Sequence, residues 1–171
     1  MDHLTVTPPV TTTERNVDAK AGPTRTAPTP REPMTDTAAT LDPVPIDRFG
    51  HDHWKLLAYV DSYAAREGGL DRRRLRCNPQ RHPRLASIHT PRNWNPHHGT
   101  RLKPDEEGEQ QLPEHDDWDC LHDLEAAGLV EILSLTNGYA RLTPEGRRAY
   151  GQMVHFQLRG GALHHFTPKA K

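Results

Sequence analysis

The chain has 171 residues, a formal charge of −1, 33% hydrophobic residues and only 6% aromatic ones, which fits one domain with room for a tail. No run approaches the roughly 18–20 apolar residues of a membrane span, and no basic stretch followed by an apolar core marks a secretory signal. A membrane protein is therefore excluded and a cytoplasmic location expected. Cys77 and Cys120, the two cysteines, cannot make a disulfide scaffold.

Residues 1–46 hold 8 of the 16 prolines and eleven threonines but no aromatic residue. Such a segment cannot bury enough apolar surface to offset its ordering entropy, roughly 1–2 kcal/mol per residue. It is expected to be a disordered, partly polyproline-like tail. The folded unit is then expected over 47–160, with an Arg-rich insert at about 70–113 and a C-terminal tail at 161–171.

Residues 53–67 read as the first helix, with Asp52 as N-cap and Gly68-Gly69 as the stop. Trp54, Leu56, Leu57, Ala58, Val60, Tyr63, Ala64 and Ala65 cover most of its circumference. Lys55, Ser62 and Arg66 fall within about 40° of one another and leave only a narrow polar seam, so this helix is expected to be central to the core. Prolines at 79, 83, 91, 96, 104 and 113 then forbid long helices. Within that stretch Leu85-Ala86-Ser87-Ile88 suggests a short strand, and Pro104 through Leu112 suggests one or two helical turns.

Asp116 through Ala127 makes a second helix, stopped by Gly128. Its apolar half carries Trp118, Cys120, Leu121, Leu124 and Ala127. Its other half carries Asp116, Asp119, His122, Asp123 and Ala126 and is expected to face solvent. Leu129 through Leu133 and Tyr139 through Leu142 read as strands joined by a type I′ turn at Asn137-Gly138. Thr143-Pro144-Glu145 opens a last helix with a hydroxyl cap, a first-turn proline and an acid, and Gly160-Gly161 ends it.

Helix, short strand, hairpin and helix, with Asp123-Leu124-Glu125-Ala126-Ala127-Gly128-Leu129-Val130-Glu131 and then Tyr139-Ala140-Arg141-Leu142-Thr143-Pro144-Glu145-Gly146-Arg147-Arg148, resembles bacterial winged-helix regulators of the multiple-antibiotic-resistance type. The resemblance covers residues 116–150. It implies a mainly α fold with a small β-hairpin wing, preceded here by the tail, and it makes 116–127 a recognition helix in the major groove of DNA. His51-Asp52-His53-Trp54 and His115-Asp116-Asp117-Trp118-Asp119-Cys120 give the whole chain a likeness to uncharacterised bacterial proteins, which carries no function over.

Charge distribution opposes that docking. Residues 71–103 carry nine Arg or Lys against Asp71, and residues 105–140 carry eleven acids and no Arg or Lys. The −1 total is a cancellation of two blocks. Aspartates at 116, 119 and 123 would be repelled by the phosphates that line a groove. Two partner classes follow. Duplex DNA would be met by Arg72, Arg73, Arg74, Arg76, Arg81, Arg84, Arg101 and Lys103 of the insert, with Asn137 and Arg141 of the wing. Alternatively, a basic protein would be met by Asp116, Asp119, His122 and Asp123. The insert's arginines could also pair with the chain's own acidic block. Cys77 and His82, with His115 and Cys120, could supply a Cys2His2 zinc site, although buried small cysteines and surface histidines account for the same residues. Nucleophile-elbow, phosphate-loop, dinucleotide-binding and His-Glu-x-x-His motifs are all missing, so no enzyme activity and no cofactor are expected.

Overall fold

The structure, a computed structural model, describes residues 41–71, 73–88, 94–135 and 138–169, which lie within one compact unit, Asp36–Lys171. The expected tail up to residue 40 lies outside the described residues, as do Arg72, Arg92 and Asn137 with its turn. The described part is mainly helical, with two small two-stranded antiparallel sheets. None of its helices is long and apolar enough to cross a membrane.

The first helix is two helices. Helix α1 (His51–Asp61) stops where Ser62 turns extended, and α2 (Tyr63–Gly68) starts there with the Ser62 hydroxyl accepting from Ala65 N–H. Ser62 is a cap and not part of a polar seam, because a serine side chain competes for backbone donors more readily than it sits within a helix. The break also turns Tyr63 and Ala64 outward. Gly50, and not Asp52, caps α1; a Cβ there would collide with the backbone of Arg101 and Leu102. Helix α1 itself is the central element. Its Trp54, Leu57 and Val60 are fully buried, and it packs on the later helices and the hairpin.

The proline-rich stretch departs from expectation twice. Residues 83–88 form a helix, α3 (Pro83–Ile88), where a strand was expected over 85–88. Pro83 is preorganised for a first helical position, and Ala86 N–H closes the turn onto His82 O at 2.9 Å. Residues 104–112 contain no helix. Asp105 and Gly108 bridge in a tight turn, with Asp105 Oδ1 accepting from Glu107 N–H at 2.9 Å. Strand β1 (Thr100–Arg101) then pairs with β2 (Gln111–Leu112).

Helix α4 (Asp117–Ala126) is followed by β3 (Val130–Ser134), β4 (Tyr139–Leu142) and α5 (Pro144–Leu158). The hairpin register is Val130↔Leu142, Glu131↔Arg141 and Ile132↔Ala140, with a bulge at Leu133 before Ser134↔Tyr139. Trp118, Leu121 and Leu124 of α4 and Met153 of α5 join Trp54 and Phe49 in the core. The segment expected as a C-terminal tail also belongs to the core, since Phe166 is buried edge-on against Trp54 with centroids 4.9 Å apart. At the other end Val44 is buried too, so the packed chain begins ahead of residue 47.

Thr143 joins α5 to the hairpin: its hydroxyl caps Gly146 N–H at 3.0 Å and donates to Gly128 O at 2.6 Å. The close approach requires a glycine at 146, because a Cβ there would meet the Leu129 carbonyl oxygen. Gly146→Ala should therefore cost about 1–3 kcal/mol of stability by overpacking, read from the urea midpoint. An unchanged midpoint would contradict this packing.

Candidate functional site

Four aspartates, Asp116, Asp117, Asp119 and Asp123, mark the start and inner side of α4. The helix start is fixed by a capping box: Asp116 Oδ1 accepts from the N–H groups of Trp118 (2.8 Å) and Asp119 (3.0 Å), and Asp119 Oδ2 accepts from Asp116 N–H (3.0 Å). The expectation that Asp116, Asp119 and Asp123 face solvent is overturned. They are 0%, 8% and 3% exposed, and of the four proposed contact residues on this helix only His122 is exposed. A buried carboxylate needs partners, and the Arg-rich segment supplies them.

Arg76 makes the first clamp. Its Nε and Nη2 donate to Asp117 Oδ1 at 2.9 and 2.6 Å, its backbone N–H to Asp117 Oδ2 at 2.7 Å, and Nη1 to His98 O at 2.6 Å. Nη2 also lies 3.4 Å from Asp52 Oδ2, and the backbone N–H of Arg101 donates to the same oxygen. Arg81 makes the second clamp, two-pronged onto Asp119 at 3.1 and 2.8 Å. Asn78 N–H closes the loop onto Asp116 Oδ2 at 2.6 Å. The insert therefore folds against the acidic helix. Burial acts to raise the Asp119 pKa, but His82, Arg81 and the Asp116 N–H outweigh it and hold the carboxyl far below its usual range. For Asp116 burial wins, and its pKa is raised.

His82 Nε2 sits 3.3 Å from Asp119 Oδ1 and 3.5 Å from Asp116 Oδ1, aligned for a hydrogen bond with neither. Burial pulls its pKa down, yet Asp119 and Asp116 together raise it above the ordinary histidine value. These three side chains bring donor atoms within 4.8 Å of one another and are, among the described residues, the group able to surround a cation. The arrangement needs none: Arg81 and His82 already balance the acids, and the Asp116 and Asp119 oxygens already accept hydrogen bonds.

The Cys77, His82, His115 and Cys120 set expected for zinc is not brought together. His82 lies with Asp116 and Asp119, whereas His115 lies with Asp123 and Cys120. Folding places those two halves at different points along α4. Burial, with the nearby Asp116, pushes the Cys77 thiol up to about 12.

Further along α4, Asp123 Oδ2 receives His53 Nε2 at 2.9 Å and His115 Nε2 at 3.0 Å, and Oδ1 accepts Val44 N–H at 2.9 Å. Burial works to raise the Asp123 pKa, and these three bonds more than reverse it. His53 is fully buried, stacked on Phe49 at 4.3 Å, with its Nδ1 unpartnered. Burial lowers its pKa, only partly offset by Asp123. His115 Nδ1 lies 3.1 Å from Thr100 Oγ1 and 3.8 Å from Cys120 Sγ. Cys120, His115 and Asp123 thus follow the order of a thiol–imidazole–carboxylate triad. Cys120 is 0% exposed, however, and burial raises its pKa well above the ordinary thiol value. In this arrangement the thiol is out of reach of solvent, and its burial favours the protonated form over the reactive thiolate.

The other residues named for DNA contact are scattered. Arg73 and Arg74 extend into solvent, with side chains 86% and 69% exposed and only loose pairs to Asp71, and Arg84 is exposed. Arg101 bonds His51 and Asp52, Lys103 bonds the Thr167 hydroxyl, and Arg141 pairs with Glu131 across the hairpin. Asn78 and Thr100 carry no motif in the sequence, and His53 and Asp117 stand there only within the His51-Asp52-His53-Trp54 and His115-Asp116-Asp117-Trp118 segments, although Asp116-x-x-Asp119 carries the spacing of a capping box.

Because the folded pKa of His82 is raised, its stabilising contribution is complete below the unfolded value of about 6.5 and is lost as pH rises through the folded value. His82→Gln should therefore cost more stability at pH 5.5 than at pH 8.5 in urea titrations, and an equal or reversed penalty would refute the pairing. His53 has the opposite sign: its lowered pKa removes stability as pH falls from about 6.5 through the folded value. In the native protein both thiols should resist iodoacetamide at pH 8 and react fully in denaturant; rapid native labelling of Cys120 would show that the triad is open. Comparisons of the chain with protein-family models, with curated proteins and with solved structures found no match.

Proposed function

We propose that the chain is a non-catalytic, winged-helix-like protein-interaction module that makes contact through its hairpin and not through α4. The order α4, β3, β4, α5 supports the winged-helix likeness. One observation carries the choice of partner: the acids of α4 and the arginines at 76 and 81 are spent on each other inside the protein. Helix α4 turns His122, Glu125 and Ala126 outward, and the 105–140 segment contains no Arg or Lys. Neither a DNA groove nor a basic protein finds its complement on that helix.

The hairpin offers a different surface. Leu133 and Tyr139 are 54% and 41% exposed, beside the Glu131–Arg141 pair at 2.7 Å. An aliphatic and an aromatic side chain beside a charged pair suit the composition of an interface centre and its polar rim. The partner would bring a small apolar patch with polar edges.

A nucleic-acid reading has one observation in its favour, the solvent-facing Arg73 and Arg74, which would act as phosphate contacts. Cross-linked affinity capture with the full chain, compared with a Leu133→Asp/Tyr139→Ser variant, separates the two. The variant should lose its partner, with affinity reduced by about thirtyfold or more, as for a central interface anchor. Capture unchanged in the variant would sink the hairpin surface. Tight, salt-sensitive binding to random duplex DNA, removed by Arg73→Gln/Arg74→Gln, would transfer the case to nucleic acid.

A further inference from the structure

We propose that the groove between α1 and residues 74–76 is a binding site for a small phosphate monoester carried on a flat apolar body. The groove encloses about 460 Å³ and is lined from α1 by Asp52, Lys55, Leu56 and Tyr59, from the facing segment by Arg74, Leu75 and Arg76, and from α4 by Asp117. That volume falls within the usual range for small-ligand sites.

The charges of the lining divide into two groups. Arg76, Asp117 and Asp52 close on one another, with Arg101 completing the balance on Asp52. Lys55 and Arg74 remain. Lys55 is exposed and makes no ion pair or hydrogen bond with any described residue. Arg74 has only a solvent-exposed pair with Asp71 at 3.6 Å, an interaction of little worth. Asp71 is shared with Arg73 at 3.9 Å, so the two arginines keep one positive charge in excess beside that of Lys55, and a phosphate monoester, which carries about −1.5 to −2 at neutral pH, matches that surplus better than a carboxylate does.

The remainder of the lining suits the body of such a ligand. The half-buried Tyr59 ring lines the groove, with the edges of the largely buried Leu56 and Leu75 beside it. The walls are also tied together before any ligand arrives. Asp71 N–H donates to Tyr59 Oη at 2.6 Å, joining the chain ahead of the facing segment to α1, and Arg76 bridges Asp52 of α1 to Asp117 of α4. A preformed site loses less free energy to ordering on binding. This groove is separate from the hairpin, so it stands or falls independently of the interaction surface proposed above.

Calorimetric titration of the full chain at 50 mM NaCl tests it, with adenosine 5′-monophosphate and phenyl phosphate as probes and with adenosine, phenol and inorganic phosphate as controls. At least one ester should bind with Kd below about 1 mM, and each control should bind about tenfold or more weakly. A Lys55→Gln/Arg74→Gln variant, altered only at exposed side chains and expected to melt with the parent, should lose about tenfold or more in ester affinity. No ester binding up to about 5 mM overturns the proposal. So does equal affinity in the double variant, which would put the site elsewhere, or inorganic phosphate binding as tightly as the esters, which would remove the apolar body from recognition.

Discussion

Helix α4 places four carboxylates within eight residues, at 116, 117, 119 and 123, and three of them are buried in the core or at its edge. Removing an ionised carboxylate from water costs several kcal/mol unless cations and hydrogen bonds meet it. The rest of the architecture follows from meeting that condition. The 76–82 loop exists in its observed form because Arg76, Asn78, Arg81 and His82 all have to reach one helix start. Strand β1 is held close for the same reason, since His98 O accepts from Arg76 and the Thr100 hydroxyl bonds His115 O. A prolyl-rich segment with little regular structure is thereby given a fixed course by electrostatics more than by apolar contact.

That arrangement also reorders what the surface can offer. Of the two opposed blocks of charge, the parts that meet at α4, Arg76 and Arg81 with Asp117 and Asp119, are consumed within the molecule, whereas Arg73, Arg74, Arg84 and the acids Asp105, Glu106, Glu107 and Glu109 stay exposed. Two outward features stand apart from those blocks or at their edge: a hairpin face with Leu133 and Tyr139, and a groove with Lys55 and Arg74. Buried ion pairs of this sort hold one geometry firmly because any displacement leaves a charge unmatched.

The elements fixed by local rules were legible in the sequence. Thr143-Pro144 caps α5 as its chemistry dictates, Gly128 adopts φ +71 just beyond α4, and the two hairpin strands lie where their pattern places them. Elements decided by tertiary partners were not. Ser62 and Lys55 look alike on a helical wheel, yet one is a cap and the other a cation without a partner among the described residues. The polar half of α4 looked solvent-facing because periodicity records polarity and not burial. Only the spatial return of Arg76, Arg81, His53 and His115 makes that half an interior surface. The segregation of charge was visible, and the residue-by-residue pairing depended on how the 76–82 loop crosses the helix.

The bond from Val44 N–H to Asp123 Oδ1 decides where a shortened version of the protein can begin. Composition places the boundary at residue 47, but a chain started there would lack the backbone donor that fills one oxygen of a carboxylate already shared by two imidazoles. Residues 44–46 thus belong to the domain through that amide, the buried Val44 side chain and Ile46, which packs against the core, and a minimal folded fragment has to retain them even though Val-Pro-Ile looks like the end of a linker.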